Sequence, residues 1–102
     1  MAKRTLRKVV DDYTQVRCAA GPGVIREEVW TDENNRIAKY NLAFINLHLF
    51  REDNGRVLGY DNAHGHAERH HKGTIKPYNF TSYEALLATF LDEIEILRRE
   101  KP

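Results

Sequence analysis

The sequence predicts an α+β fold, a small antiparallel β-meander of three to four strands packed by one C-terminal α-helix. Three observations carry this. Residues 36–50 alternate with both sets of side chains largely apolar, as in a central strand or one covered on both faces. Asn54 and Gly55 then separate that run from a second short apolar run, and Asn-Gly is the strongest short hairpin signal because both central residues of a type I′ turn need positive φ. Finally, Tyr83, Leu86, Leu87, Phe90, Leu91, Ile94 and Leu97 recur at the spacing of a helix with one apolar stripe.

The length of 102 residues suits one domain with one core. Residues 1–20 form an N-terminal extension of open type. Leu6, Val9, Val10, Tyr13 and Val16 recur at helical spacing, yet Val9 to Cys18 also carries several β-branched and aromatic residues. Gly21, Pro22 and Gly23 break the chain, and the meander plus helix occupies 24–97. Val24 to Thr31 is short, β-rich and bounded by turn residues, hence a strand, with a turn at Asp32 to Asn35. In the strand Arg36 to Phe50, Tyr40, Leu42, Phe44 and Phe50 share one side and Ala43, Ile45, Leu47 and Leu49 the other, while Asn46 and His48 interrupt the first set.

Arg56 to Asn62 returns antiparallel. A two-residue Asn54–Gly55 loop sets His48 opposite Asp61; a three-residue loop with a bulge sets it opposite Tyr60. Gly65 and Gly73 bracket the second half of a histidine-rich loop, which Pro77 helps end. Thr81 with Glu84 three residues on reads as a capping box, Phe80 is expected to pack back onto the helix, and Arg98 with Arg99 suits the helix C-terminus. Trp30 and Tyr40 read as core or interface residues.

Charge is nearly balanced, 16 Lys and Arg against 15 Asp and Glu, so attraction for nucleic acid must come from a local patch. Arg69, Lys72 and Lys76 against Glu68 form one candidate. Cys18, the single cysteine, excludes an internal disulfide framework and a cysteine-based zinc cage, fits a reducing cytosol, and reads as a packing residue. The basic N-terminus has no apolar core like that of a signal peptide, and no segment approaches a membrane span, so the expectation is a cytoplasmic protein.

Chemistry concentrates in residues 61–71, where four of the protein's five histidines lie among acids, an amide and an arginine. Imidazole titrates near neutral pH, so such a cluster can shuttle protons, hold a metal or carry adjustable charge. His64 and His66, two apart, share one side of an extended segment, and with His70, His71, Asp61 or Glu68 they offer a nitrogen and oxygen set for zinc, nickel or manganese. That spacing is not a recognised zinc signature.

The segments VW at Val29 and Trp30, YNLAFIN at Tyr40 to Asn46, GRVLGYDNAHG at Gly55 to Gly65, the pair His70 and His71, and FTSYE leading into Phe90 and Ile94 resemble the TumE-like family of bacterial and archaeal toxins. The resemblance covers roughly 24–96 and leaves the first twenty residues unmatched. It implies the toxin of a toxin–antitoxin pair, with a cognate antitoxin encoded nearby as partner.

With that implication, the expected function is RNA cleavage or RNA binding by the histidine-rich loop, without a metal or other cofactor. RNA carries its own nucleophile, the 2′-hydroxyl, and needs a base, an acid and positive groups at the phosphate. His70 and His71 are the first candidates for acid and base, with Arg69 on the phosphate helped by Lys72, and Asp61 orienting an imidazole. His64 and His66 come next. Adjacent residues of an extended chain point apart, so His70 and His71 share one phosphate only if the loop turns between them; otherwise His66 or His64 takes one place. Tyr60, Asn62 and Lys76 are substrate-binding candidates, the tyrosine with Tyr78 and Phe80 for stacking on unpaired bases. The alternatives are a non-catalytic module binding nucleic acid or protein, and a metal-dependent hydrolase or metal-binding protein. A homodimer is left open.

Overall fold

The computed structural model describes residues 5–102. The strands are β1 (Arg7–Val16), β2 (Gly23–Thr31), β3 (Ile37–Ile45), β4 (Arg56–Asp61), β5 (Glu68–His71) and β6 (Thr74–Pro77), and α1 (Tyr83–Leu97) follows them. They form one six-stranded sheet in chain order with every neighbouring pair antiparallel. The α+β meander and C-terminal helix agree with the sequence, but six strands replace the expected three to four. One extra strand is the N-terminal segment, whose β-branched and aromatic residues prevail over its helical spacing once β2 offers a ladder. Two more come from the histidine-rich loop, whose second half is a hairpin turning at Lys72 (φ 46) and Gly73 (φ 84). Two positive φ values fit a type I′ turn, and lysine in the first place hides that signal.

The Asn54–Gly55 two-residue hairpin does not form. Both residues have the expected positive φ, 55 and 83, but they lie in a short 3-10 turn (Asp53–Gly55) at the end of a longer connection. Asn46 is the cause. It is 2% exposed; its N–H donates to the Gly55 carbonyl (2.8 Å), its side-chain oxygen accepts from the His48 N–H (2.9 Å), and its amide donates to the Gly21 carbonyl (2.9 Å). A side chain that offers the backbone these local partners ends the ladder. Register therefore sets Asn41 opposite Asp61 and Leu42 opposite Tyr60. His48 faces neither; it is exposed and covers Gly21, where an added Cβ would lie 2.5 Å from its ring.

Tyr40, Leu42 and Phe44 of β3 and Leu58 and Tyr60 of β4 meet Leu86, Phe90, Ile94 and Leu97 of α1 in one core. Each fully buried large side chain there contributes about 1.5–3 kcal/mol. Cys18 packs partly buried against that core. The helix starts one residue later than the capping-box reading, because Ser82 is the N-cap and accepts from the Ala85 N–H at 3.1 Å. Phe80 stacks on Tyr40 of the sheet, centroids 5.5 Å apart, and Arg98 caps the far end while donating to the Arg17 carbonyl. The opposite sheet face carries Asn41, Ala43, Gly59, Asp61, Glu68 and His70, and it frames the site.

Candidate functional site

The connection from β4 to β5 is built by two side chains of the strand end. Asn62 prolongs the pairing with β3 after the backbone ladder stops: its oxygen accepts from the Tyr40 N–H and its amide donates to the Ala38 carbonyl, both at 3.1 Å. Asp61 accepts from the Ala63 N–H at 3.2 Å, and Gly65 (φ 83) turns the chain back. His64, His66 and Glu68 follow at two-residue intervals.

These three side chains converge. His64 Nδ1 lies 3.0 Å from one Glu68 oxygen and His66 Nε2 lies 3.1 Å from the other. The carboxylate is 14% exposed while the imidazoles are 72% and 61% exposed. A carboxylate oxygen only accepts, so each facing nitrogen holds a proton and the far nitrogens, His64 Nε2 and His66 Nδ1, are left for solvent or substrate. The hydrogen bond to Glu68 and its negative charge raise the His64 pKa. The bond from His64 chiefly, opposed by burial and helped by the weaker effect of the bond from His66, lowers the Glu68 pKa.

Behind this pair stands a second cluster. Asp61, paired with Glu68 across the ladder, has its Oδ2 3.1 Å from His70 Nε2 and 3.5 Å from Arg56 Nη1. Arg56 Nη2 lies 3.1 Å from His70 Nδ1, and its Nε donates to Asp53 at 2.8 Å. Arginine only donates, so Nδ1 accepts and the ring proton of His70 sits on Nε2. That nitrogen reaches ion-pair distance from Asp61 without hydrogen-bond alignment, and it is buried with no aligned acceptor. Gly59 makes room for the arginine, since a Cβ there would come within 2.8 Å of Arg56 Cδ. Asp61, His64 and Glu68 also offer ligand atoms within 4.8 Å of one another, a nitrogen and oxygen set able to hold a divalent ion.

Two hollows flank the histidines. One of about 380 Å³ is lined by Leu6, Ala38, Lys39, Asn62, Ala63 and Gly65. Beside it Trp30 lies between Lys8 and Lys39, whose ammonium groups are 5.0 and 4.6 Å from the ring centroid. The other, of about 220 Å³, includes Ile37, His66 and Phe80.

A family model described as Toxin TumE matches residues 23–98, from β2 through α1. The chain belongs to the TumE toxin family. Membership makes it a toxin component and implies an antitoxin partner. No curated protein and no solved structure matches the chain. Among the described residues no helix is long and apolar enough to cross a membrane.

In this TumE-family chain the sequence candidates divide between the two sheet faces. His70 and His71 are neighbours in β5 and the chain turns only after them, so they point apart. His70 lies with Asp61 and Arg56. Arg69 and His71 share the helix side, where Arg69 donates to the Tyr60 hydroxyl (3.1 Å) and pairs with Glu93. Burial, with the charges of Arg69 and Lys72, lowers the His71 pKa, and its buried Nε2 has no hydrogen-bond partner. Lys72 pairs with Glu100 at 3.1 Å, and Lys76 stands opposite Arg69 on exposed β6. Tyr60 is 1% exposed, bonded to Glu93 and held edge-on to Tyr78 and Phe90, so it offers no free face to a base. The Asn62 amide is engaged by β3.

Arg56, Lys39 and Trp30 join the site without standing among the sequence candidates for it, and Glu68, named from sequence only as a possible metal ligand, joins it as the partner of both imidazoles. Glu68 was readable as the next term of the series His64, His66. Arg56 was signalled only by a glycine inside a strand, and the stacking of Trp30 with two lysines follows from register across three strands.

Proposed function

We propose that this toxin cleaves RNA, with His66 as the base and His64 as the acid, both oriented by Glu68. One observation carries the reading: two exposed imidazoles share one mostly buried carboxylate, each with its second nitrogen open. A carboxylate bond fixes the imidazole tautomer and supports its charged form, as acid–base catalysis requires. His66 takes the proton of the 2′-hydroxyl, whose oxygen attacks the adjacent phosphorus. The bond to the 5′-oxygen breaks as His64 delivers its proton there, leaving a 2′,3′-cyclic phosphate and a free 5′-hydroxyl. The raised pKa of His64 suits the acid role. Lys39 beside Trp30 supplies positive charge next to the loop, and Phe80 borders the hollow at His66 as a stacking surface. Arg56, Asp61 and His70 act behind this pair by fixing the strand end from which the loop departs.

A second reading has its own observation, the Asp61, His64 and Glu68 donor set, and makes the protein a metal-dependent hydrolase. Incubating the purified chain with RNA, with and without chelator, separates the two. The acid–base reading expects cleavage that survives chelation and yields cyclic phosphate ends. Loss of activity on chelation, restored by zinc or manganese, selects the metal reading. Replacing both His64 and His66 by alanine is expected to abolish cleavage and growth arrest with little change in melting temperature, because exposed loop side chains carry little of the core. Growth arrest by that folded double variant selects a non-catalytic binding toxin instead.

A further inference from the structure

Six strands at about 4.8 Å spacing span roughly 24 Å, whereas a helix with its side chains is about 10 Å across. One helix therefore covers less than half of a sheet face. Here α1 packs over β3 and β4, and Asp12 and Thr14 on the same face of β1 stand exposed beside it. Between them lies a groove of about 200 Å³ with Ile25, Leu87 and Leu91 among its apolar lining and Asp12, Thr14 and Glu27 along its β1 and β2 side. Leu91 is 43% exposed there. Among the described residues no lysine or arginine lines it. The Asp12 carboxylate has no ion-pair or hydrogen-bond partner among the described residues, and the Glu27 carboxylate accepts from the Tyr83 hydroxyl at 2.5 Å. Glu84, one helical turn before Leu87, extends the acidic rim along α1, whereas Glu95 beyond Leu91 is paired with Arg98 at 3.1 Å.

We propose that this groove seats the antitoxin, through one amphipathic helix that lies beside α1 over β1 and β2, apolar towards Ile25 and Leu91 and flanked by lysine or arginine. The existence of a partner rests on membership of the toxin family; the place and chemistry rest on the groove, and neither depends on the catalytic reading. A neighbouring helix at the usual 8–10 Å interaxial distance would complete a second helical layer on the face that α1 half covers. A second copy of this chain is disfavoured, because its own α1 would bring Glu84 against Asp12 and Glu27.

The test uses two synthetic helical peptides with the same leucine stripe, one flanked by lysines and one by glutamates, titrated into the isotope-labelled full chain. The lysine peptide is expected to bind at least tenfold more tightly, less so at high salt, and to shift the amide signals of Asp12, Ile25, Leu87 and Leu91. Asp12→Lys should shrink that preference at least threefold, and Leu91→Arg should weaken binding about tenfold; both positions are exposed, and an unchanged spectrum elsewhere reports a retained fold. Equal affinity for the two peptides, no binding, or shifts confined to other residues would overturn the proposal. So would concentration-dependent shifts at the groove without peptide, which would make the occupant a second copy.

Discussion

Glu68 is the residue on which the candidate chemistry turns, because its two oxygens hold both exposed imidazoles. The raised His64 pKa means that the pair's stabilisation is full below the ordinary imidazole value of about 6.5 and is lost as pH rises through the raised value. The lowered Glu68 pKa adds stabilisation that is present above the ordinary carboxylate value and lost as pH falls through the lowered one. The bond thus acts between those limits. In Glu68→Gln the His64 titration, followed by NMR, is expected to move down towards about 6.5, and the alkaline limb of the cleavage profile should move with it. A His64 titration identical in the two proteins would remove Glu68 as its orienting group. His71 works in the other direction: its lowered pKa gives stability that is present above about 6.5 and lost as pH falls through the lowered value. Denaturant midpoints measured through that interval should therefore fall with acidification in the parent and fall less in His71→Gln.

At the scale of elements, two side chains decide where structure stops and starts. Asn46 ends β3, and Asn46→Ala leaves the Gly21 carbonyl and the His48 N–H without their partner, so a loss of about 1–3 kcal/mol is expected in urea unfolding. Ser82 starts α1. Ser82→Ala should cost about 1 kcal/mol while Thr81→Ala stays within about 0.5 kcal/mol, the reverse of what a capping box beginning at Thr81 requires. Both elements were legible in the sequence. Their ends were not, because an asparagine side chain can serve a turn or a distant carbonyl, and adjacent threonine and serine are equal candidates until the approach of the chain selects one.

The whole molecule is longer than its size requires. The radius of gyration is 14.4 Å and the extents are 49 × 24 × 23 Å, against a radius of about 13 Å for a compact chain of this length. One helix on a six-stranded sheet concentrates the core under α1 and leaves β1 mostly exposed. Stability should follow that distribution. Phe90→Ala, at the centre of the core, is expected to lose about 3–5 kcal/mol and Leu91→Ala, on the open flank of the same helix, about 1 kcal/mol or less, measured by the same urea unfolding. Equal losses at the two positions would mean that the open flank carries as much of the fold as the core.

The sequence by itself determined the α+β class, the meander order, the apolar stripe of α1 and the family, because periodicity and turn residues act over short stretches of chain. It also gathered four of the five histidines into residues 61–71. Which of those side chains meet was decided by tertiary structure. Alternation within β5 sends His70 and His71 to opposite faces, and pairing with β4 and α1 engages Arg69 with Tyr60 and Glu93. The turn at Gly65 brings His64 and His66 onto Glu68. Strand register, unlike strand identity, depends on where a loop ends; Asn46 moved that point, and the β3 neighbour of Asp61 moved with it from His48 to Asn41.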